Sequence, residues 1–221
     1  MKRTILTLLA FALTLSFAGP SPVSAQDQAM PASAVIAKML DRNGQLNTYQ
    51  ARVHVNLRML NFPFLAPTLD GTAYYKRPKK FDVTFDRVPA YAKGFQKLFD
   101  DVADPISWGL DSNVVSKGLV KVDGYPREMI ELYMTKKIYS TIIDNTIAYV
   151  DPSNYELLEM DWNYRSGGKI AMRQWYRMEG GYSVVSQQHV EINIPHVHAV
   201  GDSQFAIYQT NIAIDDSVFK K

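Results

Sequence analysis

The sequence predicts a mainly β fold, an antiparallel meander of about eleven strands with a few helices, and three observations lead there. Residues 71–85 read GTAYYKRPKKFDVTF, a β-hairpin turned at Pro78-Lys79-Lys80. Its second strand sends Phe81, Val83 and Phe85 to one face and Asp82, Thr84 and Asp86 to the other, so the sheet is wet on one side and dry on the other. From Tyr49 a second run alternates Tyr49, Ala51, Val53, Val55, Leu57 and Met59 with Gln50, Arg52, His54, Asn56 and Arg58. Because it is about twice the usual strand length, it calls for a large curved sheet. From residue 119 onward, candidate strands at 119–122, 128–135, 138–143, 146–150, 155–165, 169–177, 183–194 and 204–214 alternate with turn residues such as Gly124, Asn145, Pro152, Gly167-Gly168, Gly180-Gly181 and Gly201.

The N-terminus bears on the compartment. Lys2 and Arg3 precede an uncharged run over residues 5–18, then Gly19-Pro20 and Val23-Ser24-Ala25, the small residues that signal peptidase requires. Residues 1–25 are therefore predicted as a secretory signal peptide cleaved after Ala25, and residues 26–221 as a single domain. An uncleaved anchor is the alternative for the same run, which is short for a membrane span. Removal of residues 1–25 takes away two basic residues and no acidic one, leaving 22 Lys and Arg against 22 Asp and Glu. A chain that close to neutral argues against a nucleic-acid partner, whose phosphates demand a basic face. With zero cysteines, disulfides, thiolate metal sites and thiol nucleophiles are excluded.

Two helices are expected to lie on the sheet. Ser33 is placed to cap the first, which carries Val35, Ile36, Met39 and Leu40 on one side, with Gly44 placed to end it. The second carries Tyr91, Phe95, Leu98, Phe99 and Val102 at helical spacing. Residues 104–117 read as a loop with a short helical piece, and residues 61–67 as an apolar loop, with Phe62, Phe64 and Leu65 among two prolines, folded over an opening.

Several strands bear large flexible or aromatic residues on their apolar face: Ile130, Leu132 and Met134; Leu158, Met160, Trp162 and Tyr164; Ile170 and Met172. A small closed barrel fills itself with such side chains, whereas a curved open sheet with helices laid across it encloses a cavity. Methionine and aromatics suit an adaptable lining, and they equally suit an ordinary packed core.

The order of these features carries a resemblance. A capped helix, the strand Y-x-A-x-V-x-V, the hairpin G-x-x-Y-Y-K-R-P-x-x-F-x-V-x-F, the Tyr149 to Pro152 run Y-V-D-P, a Gly-Gly hairpin and a C-terminal strand ending near Phe219 together resemble the outer-membrane lipoprotein carrier family, the LolA-like proteins, over most of the mature chain. The resemblance implies an incomplete antiparallel β-barrel covered by helices, with a hydrophobic cavity for the acyl chains of lipoproteins or other lipids. It further implies a periplasmic, monomeric, non-enzymatic carrier with no cofactor, an inner-membrane donor and an outer-membrane acceptor. The lining expected on this basis is Val53, Val55, Leu57, Met59, Tyr75, Phe81, Val83, Phe85, Leu132, Met134, Met160, Trp162 and Met172. The expected lid and gating residues are Arg77, Phe62, Phe64, Phe95 and Phe99. In the family, the arginine of the R-P pair points inward and hydrogen-bonds the lid, a role that falls here on Arg77 and suits a guanidinium with several fixed donors. The residues alone leave open a surface ion pair with Asp70 or Asp82.

The chain departs from the family pattern after the hairpin, where the Tyr91 helix and the Trp108 loop replace a strand pair around an Asp-Gly turn, so cargo recognition is expected to differ there. An envelope-sensor domain acting on a membrane partner shares the fold. It usually carries a further C-terminal domain, whereas this sequence stops at Lys221.

Other chemistry is weakly marked. His196-Val197-His198, with His189 and Glu191, suggests a metal site only if both imidazoles project from one strand, and Ile194-Pro195 interrupts the strand just before them. No G-x-S-x-G, H-E-x-x-H, G-x-x-x-x-G-K-[ST] or G-x-G-x-x-G motif occurs, which leaves only a hydrolase with a dispersed site. Asp100-Asp101 and Asp215-Asp216 fall at predicted element ends, where carboxylates are solvated. Lys76, Arg77, Lys79 and Lys80 make a basic patch that fits either anionic headgroups or a solvated turn.

Overall fold

The computed structural model describes residues 29–78, 80–88 and 105–219. Among them are α1 (Ala32–Asp41), β1 (Thr48–Met59), β2 (Thr68–Lys76), β3 (Lys80–Phe85), α2 (Pro105–Asp111), β4 (Ser112–Val120), β5 (Met129–Lys136), β6 (Ile143–Val150), β7 (Leu157–Tyr164), β8 (Lys169–Glu179), β9 (Tyr182–Ile194), β10 (Val197–Thr210) and a 3₁₀ turn (Asp216–Phe219). The ten strands form one antiparallel sheet in the order β3-β2-β1-β10-β9-β8-β7-β6-β5-β4. Every neighbour is sequential except β10, which returns beside β1 and joins the N-terminal strands to the rest. β3 and β4 are its two edges, so the sheet is an open half-barrel.

The alternation in β1 survives as predicted: Ala51, Val53, Val55 and Leu57 are buried while Arg52, Asn56 and Arg58 are exposed. On the wet face the polar residues pair across strands, Arg52 with Thr72 and Asp86, His54 with Asp70, and Thr68 donating to Asn56. Beneath, Val53, Val55, Leu69, Ala73, Val83, Phe85 and Phe205 pack together on the dry face. Over the other half of the sheet α1 lays Val35 and Met39, and α2 lays Trp108, on Ile130, Leu132, Met134, Ala148, Val150, Leu157, Met160 and Met172. A third cluster, Leu57, Ile170, Ile192 and Ala199, closes the far end. Among the described residues no helix is long and apolar enough to cross a membrane.

Several boundaries differ from expectation for local reasons. α1 begins at Ala32 with Pro31 in the cap position, so Ser33 lies inside the first turn and caps nothing; it ends at Asp41, before Gly44. Residues 112–117, expected in a loop, are strand; β4 is an edge, and its outward Val115 and Leu119 blur the polar and apolar alternation. Residues 138–142 form the β5–β6 connection, with Ile138 and Ile142 exposed, so two expected strands become the single β6 and the described strands number ten. A register shift between Tyr149 and Val150 leaves Leu158 as an extra residue and turns Leu157 inward in its place. Asp82, expected on the wet face, is buried and accepts a hydrogen bond from Thr84. β10 starts at Val197, earlier than read. The helix read over residues 91–102 lies outside the described residues.

Gly71 sits where β2 and β3 approach most tightly: a Cβ there would stand 2.5 Å from the Thr84 carbonyl oxygen and 2.9 Å from the Phe85 Cα. Gly71→Ala should therefore cost about 1–3 kcal/mol in urea unfolding, the usual range for overpacking against backbone that cannot yield. A loss below a few tenths of a kcal/mol would show that the hairpin adjusts freely.

The 3₁₀ turn is tied to the hairpin by Asp216, which takes Lys76 at 2.7 Å and Lys80 at 2.9 Å. Those two lysine contacts hold its carboxyl down to about 2 from 3.8. A carboxylate depressed on folding stabilises above its unfolded pKa, and the contribution disappears as pH falls through the folded one. Docking of residues 216–219 should thus weaken between pH 3.8 and about 2, read from the NMR shifts of Phe219 against those of β1. Flat shifts across that window would show that the lysine contacts do not hold the turn.

Candidate functional site

The starts of β1, β3, β7 and β9, the end of β2 and the ends of β8 and β10 that carry Tyr176 and Tyr208 meet at one end of the sheet, where the C-terminal end of α1 comes down onto it. Beneath lies a cavity of about 150 Å³. Met39, Leu40, Leu46, Leu157, Val184, Val185, Phe81 and Phe205 give it an apolar wall, and Tyr49, Tyr75, Tyr155, Tyr176 and Tyr208 an aromatic one. Tyr49 stacks on Tyr75 at 5.2 Å and leans on Tyr208 at 5.4 Å. Tyr208 donates to the Val185 carbonyl and Tyr176 to the Leu157 carbonyl. Burial raises the pKa of the Tyr49, Tyr208 and Tyr176 hydroxyls, that of Tyr176 to about 12, so the phenols are neutral across the physiological range.

Arg77 borders this cavity and binds the helix end above it. The last carbonyls of a helix have no partner within it, and here Arg77 Nη2 donates to Leu40 O at 3.2 Å and Asn43 O at 3.1 Å, while Nη1 donates to Gly44 O at 3.0 Å. The backbone N–H of Arg77 adds a bond to Asn47 O. A cation at a helix C-terminus also opposes the negative end of the helix dipole. The guanidinium therefore grips the end of α1 and the turn after it, and it is Asp70 that pairs with His54. Asn43 is held from the other side by reciprocal bonds with Ser183 of β9.

A second cavity, about 60 Å³, lies toward the opposite end under α2, lined by Trp108, Met134, Met160 and Trp162 with Ser107, Asp111, Ser112, Lys136, Ile143 and Thr146. Met39 and Leu157 of the first cavity and Trp108, Met134 and Met160 of the second belong to one core cluster, with Val35, Leu132 and Met172 among its members.

The residues read from sequence as lining thus divide. Tyr75, Phe81 and Arg77 border the first cavity; Met134, Met160 and Trp162 border the second. Leu132 and Met172 are packed in the cluster that runs under α1, while Val53, Val55, Val83 and Phe85 pack among β1, β2, β3 and β10. Leu57 and Met59 lie at the far end. Phe62 and Phe64 meet edge to face at 6.2 Å in the β1–β2 connection, at the end of the sheet away from the first cavity, with Phe64 80 % exposed. Phe95 and Phe99 lie outside the described residues. His196 occupies the β9–β10 turn with φ 67°, so it and His198 do not project from a common strand, and His189 pairs with Asp202. Among the described residues no three metal-ligating side chains gather.

Sequence reading missed Arg42, Gln174, Tyr176, Ser183, Val184, Val185, Gln188, Phe205 and Tyr208 in the first wall. Tyr49 was placed on the dry face of β1, but nothing in a linear pattern tells which strand ends converge.

No family model and no curated protein matches the sequence. Solved structures do. The chain is similar to a LolA superfamily protein of Nitrosomonas europaea, with TM-score 0.65 and 14 % identity, covering 87 % of this chain and 99 % of that one. A DUF1329 family protein of Desulfovibrio piger gives TM-score 0.64 at 13 % identity over 86 % of this chain and 97 % of that one. An outer membrane lipoprotein-sorting protein domain of Vibrio parahaemolyticus gives 0.64 at 8 % identity, over 85 % and 95 %. The fold is LolA-like, an open antiparallel half-barrel with helices laid across its dry face.

Replacing Arg77 by Ala removes three charge-assisted bonds at once. Water can replace part of them at this half-buried position, so the expected loss is about 2–3 kcal/mol in urea unfolding, with Arg77→Lys recovering less than half because an ammonium lacks the planar fork. Hydrogen exchange should quicken in α1 more than in β9 or β10. Equal acceleration everywhere would mean that Arg77 supports the fold generally and does not pin the helix end.

Proposed function

We propose that this chain is a periplasmic carrier that binds acyl chains of lipoproteins or other lipids and moves them toward the outer membrane without bond chemistry. On this reading residues 1–25 are removed after Ala25, the remaining domain works as a monomer, and it receives cargo from an inner-membrane donor and yields it to an outer-membrane acceptor. The observation that carries the proposal is the apolar and aromatic cavity under a helix end held by one arginine.

Magnitudes support a roof that lifts. A cavity near 150 Å³ is on the scale that accepts a benzene-sized guest, too small for a long acyl chain. Ten methylenes leaving water supply roughly 8 kcal/mol, against about 2–3 kcal/mol for losing all three Arg77 bonds once water replaces part of them, so an entering chain can displace the Arg77 grip. The seam under α1 leads on to the second cavity through Leu132, Met172 and Met160, flexible or compliant side chains that can part. Release then needs an acceptor that offers an equally dry site.

Protein purified gently from periplasm should carry lipid detectable by native mass spectrometry and extraction, and delipidated protein should take up a neutral fluorescent apolar probe. Val185→Trp, which fills the first cavity, and Trp162→Arg, which places a charge at the second, should each weaken uptake by about tenfold or more, the effect of 1.4 kcal/mol or more. Lipid-free recovery together with no probe uptake would overturn the carrier reading; unchanged uptake in both variants would place the cargo elsewhere.

A further inference from the structure

The lining of the first cavity has a one-sided charge. Arg42 and Arg77 carry its charge, burial keeps the hydroxyls of Tyr49, Tyr176 and Tyr208 neutral, and no Asp or Glu is among the lining residues. Arg77 spends its donors on the carbonyls of Leu40, Asn43 and Gly44. Arg42 does not. Its guanidinium lies over the Tyr176 ring at 4.7 Å, and its Nε and Nη1 are buried with no hydrogen-bond acceptor. Glu156 stands 3.5 Å from Nη1, too far for a good hydrogen bond, and the same Glu156 oxygen, Oε1, accepts from Ser183. Buried donors on a cation are almost always satisfied, and the two unpaired ones of Arg42 belong to a residue that borders the cavity, where a ligand can complete the set.

We propose that Arg42 is the head-group anchor of this cavity and that the ligand it selects is a single-chain acyl compound ending in a free carboxylate, a fatty acid whose oxygens take the open Nε and Nη1 donors. The inference rests on the carrier reading and narrows it. Each part of the ligand has a counterpart: the apolar and aromatic wall takes the chain, one chain requires less opening of the small cavity than two, and Arg42 offers the charge that an anion meets, with Glu156 beside it as the competing carboxylate. A neutral alcohol or ester supplies an acceptor but no charge, and charge-assisted bonds are roughly twice as strong as neutral ones. Arg42 also directly follows α1, so the anchor sits on the same helix end that Arg77 grips.

Delipidated full-length mature protein would be titrated with dodecanoate, dodecanol, methyl dodecanoate and a diacyl phosphatidylglycerol, each displacing neutral N-phenylnaphthylamine at a pH where the acid is ionised. Dodecanoate should bind about tenfold more tightly than the alcohol or the ester, the effect of one charge-assisted bond. Arg42→Gln should erase that preference, and Arg42→Lys should keep part of it. Glu156→Gln, which removes the competing carboxylate, should tighten dodecanoate several-fold, a change opposite in sign that no general loss of folding can imitate. Equal binding of acid, alcohol and ester, a preference for the diacyl lipid, or a preference that survives Arg42→Gln would overturn the anchor while the carrier reading stands. Failure of every ligand and of the probe to bind would overturn both.

Discussion

The end of α1 has more carbonyl oxygens than the helix can satisfy, and Arg77, projecting from the last turn of a hairpin some 33 residues away from Gly44, supplies the missing donors. That contact fixes where α1 ends over the sheet. With the helix held there, Val35 and Met39 meet Leu132, Met160 and Met172, and the space between the helix end and the tyrosines becomes a cavity instead of a packed core. A guanidinium suits the task because its bonds are many, directional and each modest, so the helix end is held at several points.

The sheet itself tolerates such a space because its two faces do different work. Outside, cross-strand polar pairs such as Arg52 with Asp86 and His54 with Asp70 satisfy one another, and Lys169 with Asp161 and Arg173 with Glu159 do so where the outer face is more deeply covered. Inside, large side chains of β1, β2 and β10 pack on each other, and those of β5 to β8 pack on α1 and α2. An open sheet with helices as its lid leaves a seam along the helix, and both cavities lie on that seam. Burial keeps the phenols of Tyr49, Tyr176 and Tyr208 neutral, and among the lining residues of the first cavity the Arg, Lys, Asp and Glu side chains are Arg42 and Arg77 alone.

Much of this was legible in the residues. Strict alternation in β1 and β3 marked a dry face, and the methionines and aromatics of β5, β7 and β8 were correctly assigned to it, Leu158 excepted, where one inserted residue reverses parity. β4 was obscured because an edge strand is wet on much of both faces, and the 138–143 run misled because its apolar residues lie in an exposed connection. At the site, Arg77 was distinguishable through its place in a recurring hairpin. Arg42 carried no signal of its own, since an arginine after a helix is commonplace and its two open donors exist only in three dimensions.

The sequence by itself determined the secondary structure class, the meander, the one-sided faces and the leader-like N-terminus, because each depends on local periodicity or composition. Only the tertiary structure decided that β10 pairs with β1, that seven strand ends and a helix end converge on one cavity, and that Phe62 and Phe64 lie away from it. Pairing order, convergence and the pinning of a helix by a distant side chain arise from contacts between residues far apart in the chain, and no short-range pattern encodes them.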